Sequence, residues 1–291
     1  MSATTGAGRF VSWTGGCLFI GESVTTIPEH AHYAIQLAFG VRPGIRFYSQ
    51  GVWCEYGGAI IPSRQPHCMD ATGVGMSAVL LIEPETPQGR ALSKRYLQSG
   101  IVEIPRHALA NHAALLFAAC EVLDEGEALQ RACEGLVQAL TGDVDQSLIV
   151  DNRILHAVAF INANLAGTLT LSRVASEACL SPSRFRHVFV EVTGMTFQLY
   201  VLWRRVMRVW TLLAAGVSLS TAAHAAGFAD AAHLTRTSRT MFGFPPSALH
   251  IARLRPAVVG PYVRAVSGAE YPRRSAVRPL RTRSTQVARV A

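Results

Sequence analysis

This chain of 291 residues has no apolar run of the roughly 18 residues that mark a membrane-spanning helix. Its N-terminus has no basic stretch leading into an apolar segment, so no secretion signal is indicated and a cytoplasmic location is expected. Lysine is nearly absent: of 27 basic residues only Lys94 is not arginine, which reads as a bias of genome composition rather than a demand for guanidinium chemistry. No Cys-x-x-Cys pair occurs among the six cysteines at 17, 54, 68, 120, 133 and 179, which argues against a zinc knuckle and a disulfide framework. Acidic residues are scarce in the second half. Residues 151–291 carry 18 basic and 5 acidic side chains, a net of +13, whereas residues 1–150 carry 9 and 14, a net of −5. A basic half is drawn to a polyanion. The length suits two domains, and a hydrophobic content of 49% suffices for two cores.

What the basic half contains is a repeat. Leu171-x-x-Val174-Ala175-x-x-Ala178 aligns with Leu219-x-x-Ala222-Ala223-x-x-Ala226, and beyond the turn Ser181, Phe185, Val192 and Gly194 align with Asp230, Leu234, Met241 and Gly243. Each copy reads as a short helix, a tight turn, a capping Ser or Asp, and a second helix stopped by Gly. This is a helix-turn-helix outline, present twice. In the first copy a helix is predicted from Pro182 to about Val192, with Phe185, Val188, Phe189 and Val192 inward and Ser183, Arg184, Arg186 and His187 outward. In the second, Leu234, Thr237, Ser238 and Met241 face inward, and His233, Arg236 and Arg239 outward. Arginine reaches both guanine edges and phosphates. The helical stretch from Thr196 to Ala215 between the copies would span roughly 27 Å, against ~34 Å between successive major-groove faces.

Residues 152–250 resemble the arabinose-regulator (AraC/XylS) family of bacterial transcription factors. The resemblance rests on Leu180-Ser181-Pro182-Ser183, Phe185-x-x-x-Phe189 and Thr193-Gly194, on the linker from Arg205 to Gly216, and on Ala226-Gly227-Phe228-x-Asp230 through Phe242-Gly243-x-Pro245-Pro246-Ser247. It implies base-facing roles for Ser183, Arg186 and His187 in the first unit and for Ala231, Ala232, His233 and Arg236 in the second; Arg184 and Arg239 join the expected DNA-binding set through their outward helix positions. It further implies a one-component regulator that binds promoter DNA, often as an activator touching RNA polymerase. Three positions depart from the pattern. Cys179 stands where the turn usually has Gly, Val190 where a basic residue is common, and Ser238 where a core aromatic is common.

Up to about Arg95 the chain reads as β structure, with strand-like runs at Cys17–Ile20, His32–Phe39, Ile45–Tyr48, Val52–Ile61 and Ser77–Ile82. Alternation puts His30, His32, Ala34 and Gln36 on one face. The pattern His-x-His-x-x-x-Gln, followed by Gly57-Gly58-x-x-x-Pro62-x-x-x-x-His67, resembles the cupin β-barrel that serves this family as a sensory domain. The resemblance implies a divalent metal on His30, His32, Gln36 and His67, although the usual Glu is Gln36 and Arg64 occupies a commonly Gly position. The same histidines also suit internal hydrogen bonds or an organic effector. Residues 106–141 carry two apolar stripes, Leu109-Ala113-Leu116-Cys120 and Leu129-Cys133-Leu136-Leu140, as in a helical hairpin. The hairpin either pairs two subunits into a homodimer or covers the barrel.

The expected architecture is multidomain α and β: a cupin-like sensory barrel over 1–105, the hairpin over 106–141, a linker over 142–151, an all-α double helix-turn-helix DNA-binding domain over 152–252, and a basic, disordered tail over 253–291. That tail, with nine Arg and one Glu, is either a DNA-binding arm or a solvated extension. The expected function is effector-controlled transcription regulation without catalysis. A metal-dependent cupin enzyme with a regulatory module is the alternative, disfavoured because the usual carboxylate ligand and an acid-base partner are missing.

Overall fold

A computed structural model describes residues 6–121, 126–144 and 151–251. The expected tail, most of the expected linker and residues 122–125 lie outside the described residues.

The N-terminal part runs β1 (Gly6–Trp13), β2 (Gly16–Ser23), β3 (Ile27–His30), β4 (Ile35–Gly40), β5 (Ile45–Ser49), β6 (Val52–Tyr56), β7 (Gly58–Ile61), β8 (His67–Asp70), β9 (Met76–Ile82), α1 (Pro87–Tyr96) and β10 (Val102–Glu103). A hairpin of α2 (Arg106–Glu121) and α3 (Gly126–Thr141) follows. The C-terminal part comprises α4 (Asn152–Ala163), α5 (Leu171–Glu177), α6 (Pro182–Thr193), α7 (Phe197–Ala214), α8 (Leu219–Ala225), α9 (Ala231–Phe242) and β11 (Leu249–Ile251).

The strands form two sheets, ordered β10-β7-β4-β9-β2-β1-β11 and β3-β8-β5-β6. Strand alternation distributes the larger sheet between two packing partners. Leu18, Ile20, Leu37 and Leu80 pack with Leu116, Cys120, Leu129, Cys133 and Leu136 of the hairpin. Cys17 and Leu81, together with Phe10, join the core of the C-terminal helices. A third core joins the two sheets through Ala38, Ala59 and Ile61 on one side and Ile45, Phe47 and Met69 on the other.

The structure corrects three readings of the β region. His32–Phe39 is not one strand: β3 ends at His30 and β4 begins at Ile35. The interruption follows from one local and one long-range hydrogen bond, since Ala34 O takes the His32 Nδ1 proton and His32 O takes the Arg64 N–H. Val52–Ile61 breaks at Gly57 into strands of different sheets, and the Gly57 N–H is held by Glu103 Oε1. Residues 87–96 are helical, with Thr86 Oγ1 accepting the Gly89 N–H and Pro87 in the first turn.

The helical part folds as its caps dictate. Ser181 Oγ accepts from Arg184 N–H at the start of α6, and Asp230 Oδ1 from His233 N–H at the start of α9. Both helices end on a left-handed glycine, Gly194 and Gly243. Cys179 in the first turn and Arg64 in the sheet part, the two residues standing where Gly is usual, have positive φ of 52° and 60°. Ser238 is fully buried, yet its hydroxyl donates to Phe244 O at 2.8 Å.

Helices and sheets pack against one another. Strand β11 pairs in parallel with β1, Gly6 to Leu249 through Gly8 to Ile251. Trp210 of α7 lies between Phe10 and Phe19 of the sheet and Phe242 and Phe244 of the second helical unit.

Candidate functional site

Two sites emerge. The first is the pair of helices α6 and α9. The Phe185–Phe189 side of α6 is buried against Phe197 and Tyr200, which leaves Ser183, Arg184, Arg186 and His187 exposed together. On α9, Leu234, Thr237, Ser238 and Met241 are buried, and Ala231, Ala232, Arg236 and Arg239 are exposed. His233 is half-buried, its ring edge-on to Phe228 at 5.2 Å. Helix α7, 18 residues long, joins the two units. The C-terminal ends of both helices meet the sheet part. A methyl group on Gly243 would stand 2.8 Å from Pro28 O and from Ile27 Cγ2, and one on Gly194 would stand 3.7 Å from Arg64 Nη2. The N-terminal halves, with Arg184, Arg186 and Arg236, are exposed.

The second site lies where β3 and β8 meet β4. His30 pairs with His67 across β3 and β8. One ring nitrogen from each of His30, His32 and His67 lies within 4.8 Å of the others. Each Nδ1–H is committed to a backbone carbonyl at 2.8 Å: His30 to Pro28, His32 to Ala34 and His67 to Gln65. This arrangement makes Nε2 the unprotonated nitrogen of every ring. His67 Nε2 is buried and has no hydrogen-bond partner. Burial, then the neighbouring imidazoles, hold His30 down to about 4 and His67 to about 2; burial also lowers His32 despite a hydrogen bond with Gln36. The three rings are therefore neutral bases at pH 7. Gln36 Oε1 lies 2.6 Å from His32 Nε2, which places two acceptors face to face. The amide turned end for end would donate instead. Sequence alternation grouped His30, His32 and Gln36 on one strand face; the structure groups them across a break in the chain.

Beside these histidines is an apolar cavity of about 90 Å³, lined by His30, His32, Gln36 and Met69, by Phe19, Val79 and Leu81 of the large sheet, and by Phe242 and Phe244 of the second helical unit. Sequence reasoning did not anticipate that the helical part would supply a wall. The signal available was the pair of aromatics flanking Gly243.

A family model described as a helix-turn-helix domain matches residues 174–250. The arabinose operon regulatory protein of Escherichia coli K12 is 29% identical over 103 residues, which is 34% of this chain and 34% of that protein; the match thus spans about a third of the relative. The crystal structure of ToxT from Vibrio cholerae O395 is similar with a TM-score of 0.53 at 12% identity, covering 82% of this chain and 96% of that one. ToxT from Vibrio cholerae strain SCE256 with an unsaturated fatty acid bound gives 0.51 at 10% identity, covering 85% and 95%. At these identities the structural likeness establishes the two-part fold, a sheet-rich N-terminal part followed by a helical one.

Proposed function

The chain belongs to the AraC family of helix-turn-helix regulators, and from that premise we propose that it binds promoter DNA with α6 and α9 and is controlled by an effector held in the N-terminal part. The observation that carries this is the pair of exposed arginine-bearing helix faces, Arg184-Arg186-His187 and Arg236-Arg239, on units joined by one helix. Eighteen helical residues span roughly 27 Å, which suits adjacent major grooves ~34 Å apart. Ala231 and Ala232 offer only methyl contacts, so Arg236 carries most of the second readout, with His233 adding what its half-buried ring can reach. The test is selection of a binding duplex from random sequences, followed by Arg186→Ala and Arg236→Ala. Each should cost about 1 to 3 kcal/mol on the selected duplex and little on non-specific DNA. Equal losses on both would reduce these residues to phosphate contacts and refute base readout.

The effector site in this proposal is the histidine cluster with its adjoining cavity. Three neutral imidazoles with Nδ1–H anchored and Nε2 turned toward one another, that of His32 also against Gln36, form a donor set suited to Zn, Cu, Fe or Ni. His30, His32 and His67 would hold the ion, with Gln36 as a neutral fourth donor, and a bound ion would supply a Lewis-acidic anchor for an anionic ligand. The cavity favours an apolar ligand body, in keeping with the fold shared with ToxT, for which a fatty-acid complex exists. Elemental mass spectrometry on freshly purified wild type and His67→Ala tests the metal. About one ion per chain, lost in the variant, supports it; none in either leaves an organic effector alone in the cavity.

Dimerisation belongs to the proposal as well. The outer face of α2 carries Ala110, Ala114, Leu115 and Ala118, all exposed, with Leu115 at 62%. Sedimentation of wild type against Leu115→Glu tests that face.

A further inference from the structure

The segment after β9, Glu83-Pro84-Glu85, sends two carboxylates into the seam between the sheet part and the helices that carry the reading units. Glu83 is paired with a cation. Arg204 of α7 donates to its Oε1, as does Trp203 Nε1 at 3.3 Å, and Arg204 is oriented by Asn162 Oδ1 at 2.7 Å. Glu85 is different. Its Oε2 lies 2.8 Å from the Tyr33 hydroxyl, and its Oε1 is buried outside ordinary hydrogen-bond geometry, with the Tyr200 hydroxyl also facing this carboxyl. The same Tyr33 hydroxyl contacts the backbone carbonyl of Thr193, at the end of α6.

Proton counting decides the state of Glu85. The Tyr33 hydroxyl owns one proton, and the Thr193 carbonyl can only accept. With that proton given to Thr193, the contact between Tyr33 and Glu85 is a hydrogen bond only if Glu85 is the donor. Charge counting agrees, because Arg204 neutralises the buried Glu83 carboxylate, and a second charge beside it, with one oxygen buried, would be costly. We propose that Glu85 is held as the neutral acid, donating to Tyr33, and that this proton is part of the clamp that docks α6 and α7 on the sheet part.

Docking of the reading units is then linked to pH. Tyr33 faces Glu85 from the β3–β4 connection, the Thr193 carbonyl from α6 by way of Tyr33, Tyr200 and Arg204 from α7, and Glu83 from its own segment; Arg90 of α1 donates to the Glu85 backbone carbonyl. Burial first, and then the Glu83 carboxylate, raise Glu85 from the ordinary carboxylate range to about 7, with Arg204 opposing. A group whose docked pKa lies above its released value favours docking at low pH and loses that contribution as pH rises through the docked value. Between pH 6 and pH 8 the ratio of docked to released chains should fall about tenfold.

Cys17 reports docking, since it is buried on β2 with its thiol 3.8 Å from Met207 Sδ of α7. Cys133, buried in the hairpin core, reports opening elsewhere. The full chain is alkylated with iodoacetamide at pH 6 and pH 8, each site is quantified by mass spectrometry, and rates are corrected for the thiolate fraction of a model peptide. The expected result is a roughly tenfold rise in corrected Cys17 labelling at pH 8 with Cys133 unchanged, abolished in Glu85→Gln, whose neutral amide still donates to Tyr33. Cys17 labelling that does not change with pH in wild type, or that rises equally in Glu85→Gln, overturns the proposal. Should Glu85→Gln not fold, Glu85→Met, also neutral and of similar volume, takes its place with the same expectation.

Discussion

Replacing Gly194 and Gly243 by alanine, one at a time, measures how firmly the second helical unit sits on the sheet part. One glycine ends α6 and the other α9, and both have nearly the same left-handed φ, 74° and 77°. The intrinsic strain of placing alanine there is therefore shared, about 1 to 2 kcal/mol. Surroundings differ. At Gly194 the new methyl meets Arg64 Nη2 at 3.7 Å, an ordinary contact with the end of a flexible side chain. At Gly243 it stands 2.8 Å from Pro28 O, 2.8 Å from Ile27 Cγ2 and 3.3 Å from His30 Nδ1, so β3 or α9 must move. Overpacking of this kind costs about 1 to 3 kcal/mol more. Urea unfolding of the full chain should thus give a loss of about 1 to 2 kcal/mol for Gly194→Ala and about 2 to 5 kcal/mol for Gly243→Ala. Because Pro28 O is the acceptor that orients His30, Gly243→Ala should also weaken any metal binding at the histidine cluster, while Gly194→Ala leaves it intact. Equal stability losses would refute the close seating of α9 on β3.

Two further perturbations follow from single residues. Cys179→Gly removes a side chain from a left-handed position with φ of 52° and should stabilise the first unit by about 0.5 to 1 kcal/mol in thermal or urea unfolding; a loss would mean the thiol contributes packing that outweighs the strain. Asp70 is buried and accepts from Arg46 and from the Thr72 hydroxyl and N–H. Burial raises its pKa, but these hydrogen bonds outweigh it, so the folded value lies below the unfolded one and its stabilisation is present above the ordinary carboxylate pKa and lost as pH falls through the folded value. Asp70→Asn should therefore flatten the acid limb of the stability profile measured by urea midpoints between pH 7 and pH 3, and an acid limb as steep as wild type would assign that proton uptake to another group.

The helical half was legible because its information is local. Ser181, Asp230, Gly194 and Gly243 mark helix ends through bonds within a few residues, and the stripe Phe185-Val188-Phe189 repeats with the helical period. The sheet half was less legible because its breaks depend on partners distant in sequence. Nothing near His32 announces that Arg64 will take its carbonyl, and nothing near Gly57 announces Glu103. Alternation grouped His30, His32 and Gln36 as members of one continuous strand, whereas the cluster forms across a strand break and through the pairing of His30 with His67. The seam between the halves was the least legible of all. Tyr33 and Glu85 stand 52 positions apart, and Glu83 and Arg204 are separated by 121. Glu83, Glu85 and Arg204 would each pass for a surface polar residue within its own segment. What marks them is the mismatch between residue type and burial, which exists only once both halves are folded together. A controlled seam needs polar groups that one protonation or ligand state satisfies and another does not, so the features that make it a candidate switch are those that local sequence patterns do not encode.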